Sequence, residues 1–162
     1  MSKELLTKEQ WKSIRKDLGL FSSVYLLVDG IPFSVMEKRD GQKIVVTFYI
    51  GAWFYGAWLN DHFFTKYLRE VSKCFHTKKD LDKWYKIRKR HYGKKQADEW
   101  KEGTYYTYRT PYFPSLKSFQ RHITKVADTI SIIEYKEYEE ASKNYKKAHP
   151  EYFRNKNEEV EK

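Results

Sequence analysis

The side chains best suited to acid–base, nucleophilic or metal chemistry are scattered along this sequence. Its histidines are His62, His76, His91, His122 and His149, and its one cysteine is Cys74. No histidine pairs with a second His, a Cys or a carboxylate at the spacing of a zinc site. Cys74 and His76 are the nearest approach to a nucleophile and its base, but residues two apart on a helix do not face each other. The pattern predicts no catalytic centre, no metal site and no cofactor.

The triplet Tyr49-Ile50-Gly51 resembles half of the signature of the GIY-YIG nucleases. Those enzymes also carry Gly-Ile-Tyr on the preceding strand, where this chain has only the distant substitute Ser23-Val24-Tyr25. They need an arginine soon after the second triplet to stabilise phosphate charge, and here none occurs between Gly51 and Arg69. We interpret the triplet as a strand end at which Gly51 allows a bend, and we predict that the protein is not an enzyme.

Positive charge is concentrated in one central segment. The sequence holds 32 Lys and Arg against 22 Asp and Glu, a formal net charge of +10. Residues 66–95 include twelve basic and three acidic residues, and residues 83–95 include seven basic residues and no acid. A solvated helix normally interleaves the two signs of charge, so a block of one sign predicts an anionic partner. The alternative is a solubilising face that binds nothing.

The basic block forms a stripe if this segment is helical. Cations at helical spacing fall on one side of it: Lys83, Lys86, Arg90 and Lys94, with Arg88, Lys89 and Lys95 completing the block. Anchoring, mostly aromatic residues are expected largely on the other side: Leu81, Trp84, Tyr85, Arg88 and Tyr92. A basic stripe backed by an aromatic one suits docking along a phosphate backbone.

A tyrosine-rich stretch, residues 104–114, follows the basic block. We expect it to be extended and to place Tyr106, Tyr108, Arg109 and Tyr112 on the same surface as the basic helix. Aromatic side chains beside a cation form stacking platforms for unpaired bases. The alternative is that these rings pack against the sheet or cover the first helix.

Two tryptophans lie in the segment 51–59, which also contains two glycines. An exposed pair of Trp53 and Trp58 would be an interaction hot spot, whereas a buried pair would fill the core. The sequence leaves both alternatives open.

Four segments together resemble short, uncharacterised bacteriophage and prophage proteins. They are Gly51–Leu59, Tyr92-Gly93-Lys94-Lys95, the tyrosine-rich stretch to Tyr112, and Ser115-Leu116-Lys117 through His122. The resemblance implies no known active site, so no functional residue is carried over from it. It implies a phage context, in which small non-enzymatic proteins bind DNA or disarm host nucleases, including CRISPR effectors.

The elements that must position these residues follow from local patterns. Alternating apolar residues predict strands at 24–28, 31–37 and 43–50, joined by turns at Asp29-Gly30 and Asp40-Gly41. A meander with one apolar face needs helices to cover it, so we predict an α+β fold with a small antiparallel sheet packed against several helices. Residues 129–135 form either a fourth strand or the continuation of a helix.

Capping residues mark where the helices begin. Thr7 and Gln10 have the spacing of a capping box, Thr77 begins the basic helix and Ser115 a later one. Asn60 or Asp61 is expected to cap a helix that runs to about Phe75. Short helices are also predicted at 96–100 and 137–148.

The overall composition indicates how many domains the chain forms and in which compartment it works. A chain of 162 residues that is 18% aromatic suits one packed domain, which we place at 1–154, followed by a disordered tail at 155–162. A lone cysteine and no apolar leader or membrane span predict a cytoplasmic protein, here in a bacterial host.

The leading hypothesis is a phage-type accessory protein that acts by stoichiometric binding through its basic helix. Its partner is DNA or RNA, or the nucleic-acid-binding surface of a host nucleoprotein effector such as a CRISPR nuclease, as for an anti-CRISPR inhibitor. The main alternative is a plain DNA- or RNA-binding protein of phage replication or regulation. A nuclease is the least favoured interpretation.

Overall fold

A computed structural model describes residues 3–51, 54, 56–59 and 63–153. Several expectations rest on residues outside this description: Trp53, Asn60, Asp61, His62 and the tail 155–162. The chain divides into a main unit, Met1–Arg69 with Pro111–Lys162, and an insert unit, Glu70–Thr110. The segment expected to be one domain thus contains an inserted stretch that forms a compact unit of its own.

The helices and strands alternate irregularly along the chain. In order they are α1 Lys8–Asp17, β1 Ser23–Val28, β2 Ile31–Asp40, β3 Lys43–Ile50, β4 Arg69–Cys74, α2 Lys78–Tyr92, α3 Lys94–Gly103, β5 Tyr105–Thr110, α4 Leu116–Val126, β6 Ile130–Ile133 and α5 Tyr135–Ala148. Short 3₁₀ turns occur at Gly56–Leu59, Phe63–Tyr67 and Pro150–Tyr152. Within the described ranges, no helix is long and apolar enough to cross a membrane.

A four-stranded antiparallel sheet of order β3-β2-β1-β6 forms the centre of the main unit. The predicted meander is confirmed, and both hairpin turns contain a glycine with positive φ, Gly30 at 78° and Gly41 at 61°. Residues 130–133 pair with β1, which decides the open alternative for 129–135 in favour of a fourth strand.

Side chains cover both faces of this sheet. On one face the Phe48 ring lies 6.2 Å from that of Phe119 in α4, and the Phe33 ring lies 5.2 Å from that of Tyr67. On the other face the Tyr25 ring lies 4.6 Å from that of Tyr138 in α5. The α+β fold that the sequence predicts is confirmed, with helices packed on an antiparallel sheet.

The Asp29 carboxylate holds the β1–β2 turn to two other parts of the main unit. One oxygen accepts hydrogen bonds from the Tyr67 hydroxyl at 2.8 Å and from the Lys66 ammonium at 3.0 Å. The other accepts from the backbone N–H groups of Asp128 at 2.8 Å and Thr129 at 3.0 Å. Burial alone would raise the pKa of Asp29, but these four donors outweigh it and lower the pKa to about 2.

The predicted caps are present at three helices. Thr7 and Gln10 form a reciprocal capping box at α1, with Thr7 N–H donating to the Gln10 side chain at 2.8 Å and Gln10 N–H to Thr7 Oγ1 at 3.2 Å. Thr77 caps α2 and Ser115 caps α4. These helices therefore begin where local chemistry predicts.

The helix predicted from residue 60 or 61 to Phe75 is wrong. Residues 63–67 form a 3₁₀ turn, and residues 69–74 form strand β4, which pairs with β5 in a two-stranded sheet. Phe64, Leu68, Val71 and Phe75 have the spacing of one helix face, but Val71 is β-branched and the tyrosine-rich β5 supplies a strand for it to pair with. Phe75, at the end of the predicted helix, is 70% exposed.

Candidate nucleic-acid interface

The basic segment folds as helix α2, as predicted. At its start the Thr77 hydroxyl accepts a hydrogen bond from Asp80 N–H at 3.2 Å and donates one to the Asp80 carboxylate at 2.7 Å. It ends at Gly93, whose φ of 85° is a conformation that favours glycine. Cations in the last turn complement the negative end of the helix dipole.

One side of α2 packs against α3 within the insert unit. Leu81 is buried there, and the Tyr85 hydroxyl donates a 2.7 Å hydrogen bond to Asp98 of α3, which raises the pKa of Tyr85. The Arg88 guanidinium lies 4.8 Å from the centre of the Trp100 ring. Arg88, predicted as a binding residue, is therefore engaged with α3 and stands apart from the outward cations.

The opposite side of α2 carries four exposed cations, Lys79, Lys83, Lys86 and Arg90, which we call the basic stripe. Their spacing of four, three and four residues places them on one side of a helix. Among the described residues, none of the four forms an ion pair with a carboxylate. The stripe therefore presents charges that the described part of the chain does not neutralise.

The prediction that Lys94 continues this stripe is wrong, because Gly93 ends α2 before it. Lys94 and Lys95 instead occupy the first turn of α3, which has no side-chain cap and no acidic residue. Cations are unfavourable at the positive end of a helix dipole, and the free N–H groups there remain available to an anion. Together with Lys89, which is also exposed, they extend the positive surface beyond the stripe.

The insert unit as a whole is positive. It contains twelve Lys and Arg against six Asp and Glu, so it holds +6 of the net charge of +10. Three of its acids have contacts inside the unit: Asp80 with Thr77, Asp98 with Tyr85, and Glu70 with Arg109 at 4.0 Å. These contacts leave fewer carboxylates to offset the cations of α2.

The predicted aromatic backing of the stripe is partly wrong. Leu81 and Tyr85 do face α3, but Trp84 is 45% and Tyr92 62% exposed. The Lys83 ammonium lies 5.7 Å from the centre of the Trp84 ring. Leu81 is the one buried residue of α2 and Ala97 that of α3, and Trp84 and Tyr92 of α2 remain exposed.

The tyrosine-rich residues that we expected on one surface do not all lie on one face of β5. Tyr106 and Tyr108 lie on one face of β5, with ring centres 6.0 Å apart. Arg109 alternates to the other face, towards Glu70. Tyr112 belongs to the main unit, where its hydroxyl lies 3.4 Å from the Lys38 ammonium. Sequence reasoning missed Phe75 and Lys73, because it placed both on a helix.

Trp58 is 1% exposed and fills the core of the main unit. Its indole N–H donates a 3.1 Å hydrogen bond to the Tyr152 carbonyl, and its ring contacts that of Phe64 at 4.7 Å. For Trp58 the structure thus decides the open alternative in favour of core packing. Trp53 lies outside the described residues.

Cys74 and His76 do not lie on a helix, so the prediction that helical geometry keeps them apart is wrong. Cys74 ends strand β4, where its sulfur lies 3.5 Å from the Thr104 hydroxyl, and the His76 ring stacks 5.9 Å from that of Trp100. These contacts engage the two side chains separately. Across the described ranges, no group of three or more His, Cys, Asp or Glu residues could hold a metal ion.

The insert unit thus combines a row of cations on α2, two further lysines at the start of α3 and exposed aromatic rings on its two-stranded sheet. This combination suits an extended anion that also carries flat rings. No protein-family model, no curated protein and no solved structure matches this chain.

Proposed function

We propose that the protein is a non-enzymatic binding protein whose insert unit holds nucleic acid through the outward side of α2. The observation that carries this proposal is the basic stripe, four exposed cations with no ion pair among the described residues. A helix face with unpaired charges of one sign attracts a polyanion and gains free energy by releasing its counterions.

The stripe is long enough to contact several phosphates of one strand. Lys79 and Arg90 are eleven residues apart, a length of about 16 Å along a helix. Along this length its four cations can each contact one phosphate of a bound strand. Lys94 and Lys95 add two more cations and the open end of α3, so about six phosphates are within the reach of the surface.

The resemblance to phage proteins supports a particular setting for this activity. A small phage protein that acts by stoichiometric binding in the bacterial cytoplasm needs no active site. It needs a surface whose charge and shape complement its partner, and the basic stripe supplies such a surface. Its nucleic acid is then either phage or host DNA or RNA, bound through phosphates and hence with little dependence on base sequence.

Affinity measured against salt tests the proposal. Fluorescence anisotropy with labelled oligonucleotides should give tight binding at about 50 mM salt and a loss of roughly a thousandfold by about 200 mM if six phosphates are contacted. A flat salt response, or no binding at low salt, would overturn the nucleic-acid proposal. A pull-down from a bacterial host, with and without nuclease treatment, would then identify a protein or nucleoprotein partner.

A further inference from the structure

Three aromatic rings form a row on the two-stranded sheet of the insert unit. The Phe75 ring lies 4.7 Å from that of Tyr106 and is tilted from it by 30°. Tyr106 in turn stacks on Tyr108 at 6.0 Å and 27°. We call Phe75, Tyr106 and Tyr108 the aromatic row. The three rings pack as one aromatic cluster, and Phe75, at its end, is the most exposed of them.

The row is exposed where an apolar surface would normally be covered. Phe75 is 70% and Tyr106 39% exposed, and Tyr108 is half-buried. A phenylalanine ring gains free energy on leaving water, and most of the Phe75 ring remains in water within this unit. A ligand that covered the rings would remove them from water and so gain this free energy.

Cationic chemistry accompanies the rings. The Lys73 ammonium lies 5.4 Å from the centre of the Tyr108 ring. On the opposite face of the strand pair, Glu70 lies beside Arg109. The same unit carries the basic stripe on α2, so the occupant of the row is expected to be flat, aromatic and part of a negatively charged polymer, which describes the bases and phosphates of a nucleic acid.

We infer that the aromatic row stacks unpaired bases, so that the insert unit binds single-stranded nucleic acid in preference to duplex. This inference rests on the proposed function, because it assigns the class of nucleic acid that the same unit binds. In a duplex the faces of the bases are already stacked on one another and cannot reach a protein ring. In a single strand each base has a free face, and stacking tolerates any sequence.

The inference gives Phe75 a role distinct from that of the basic stripe. The stripe contacts phosphates, which single strands and duplexes share, and so it contributes affinity for both. The row contacts bases that only an unpaired strand presents. Removing a ring should therefore change the ratio of the two affinities, whereas removing a stripe cation should lower both.

The test compares Phe75→Ala with Phe21→Ala, a matched control. Phe21 is fully exposed and belongs to the main unit, so the control removes the same ring from another part of the chain. Anisotropy titrations use labelled oligothymidine of about 20 nucleotides and a duplex of similar length. Phe75→Ala should weaken oligothymidine binding by about 5- to 150-fold and leave duplex binding within about twofold. Phe21→Ala should change neither affinity.

A second variant keeps the test decisive if Phe75→Ala disturbs the two-stranded sheet. Phe75→Trp retains a larger stacking ring and should bind oligothymidine at least as tightly as the parent protein. Equal affinity of the parent for both oligonucleotides, or equal weakening of both by Phe75→Ala, would overturn the inference and leave the proposed function standing. Failure of the parent to bind either oligonucleotide would overturn the proposed function itself.

Discussion

Neutralising cations of the basic stripe tests whether affinity for nucleic acid depends on where the charges lie or only on the net charge of the protein. The triple variant Lys83→Gln, Lys86→Gln and Arg90→Gln removes three exposed cations from α2. The control Lys8→Gln, Lys12→Gln and Lys16→Gln removes three exposed cations from α1 in the main unit. Both variants have the same net charge, so long-range attraction of a polyanion falls equally in the two.

The expected magnitude follows from the number of phosphates that the α2 variant no longer neutralises. Three fewer neutralised phosphates reduce the slope of log affinity against log salt by about 2 for a single strand, which is roughly a hundredfold in affinity near 0.1 M salt. Affinity should fall much less in the α1 control, because only long-range attraction changes. Anisotropy titration over about 50 to 200 mM salt measures both quantities.

Folding must be unchanged for that comparison to hold. The six side chains are exposed, so each substitution should shift stability by no more than about 0.5 kcal/mol, which urea melts can check. If affinity and salt slope fell by the same amount in the two variants, net charge alone would explain binding, and the role assigned to α2 would be refuted.

The remaining predictions concern stability and turnover. Because the pKa of Asp29 falls from an ordinary 3.8 to about 2, its carboxylate stabilises the fold by about 2 kcal/mol above pH 4. Urea melts should show this contribution disappearing between about pH 4 and pH 2, and an Asp29→Asn variant should lack that dependence. Trp58→Ala should cost about 3–5 kcal/mol of unfolding free energy, and an unchanged midpoint would contradict its core position. Labelled DNA and RNA should stay intact with Mg²⁺, Mn²⁺ or Zn²⁺; metal-dependent cleavage abolished by changing Tyr49 or His62 would revive the nuclease hypothesis.

Local chemistry made several elements predictable from the sequence. Thr7, Thr77 and Ser115 each accept a hydrogen bond from an N–H group of the following turn, so the helix starts depend on few residues close in sequence. The Asp-Gly turns, at residues 29–30 and 40–41, likewise fix the meander, because glycine adopts the positive φ that tight hairpins require.

Strand β4 was missed because its structure depends on a distant partner. The helical spacing of Phe64, Leu68, Val71 and Phe75 runs through residues 69–74, and only pairing with β5, some thirty residues later, makes that segment a strand. The error placed Phe75 at the end of a helix and concealed the aromatic row. Both errors arose because the pairing of β4 with β5 is a tertiary contact, and helical periodicity in the sequence carries no information about such a contact.

The sequence predicted which segment is basic, but not which of its cations face outward. The acid-free run from Lys83 to Lys95 indicated a positive surface. Which cations face outward depends on the position of α3, which engages Arg88 through Trp100. Gly93 also breaks the helix, so Lys94 leaves the stripe and Lys79 takes a place in it.

A lysine-protection experiment tests the central claim most directly. The protein is treated with an amine-acetylating reagent, with and without saturating oligothymidine, and modified peptides are quantified by mass spectrometry. The basic stripe predicts that Lys79, Lys83 and Lys86 become several-fold less reactive in the complex, while lysines 8, 12 and 16 of α1 keep their reactivity. Saturation of the protein without protection on α2, or with protection confined to α1, would contradict the assignment of the insert unit as the nucleic-acid interface.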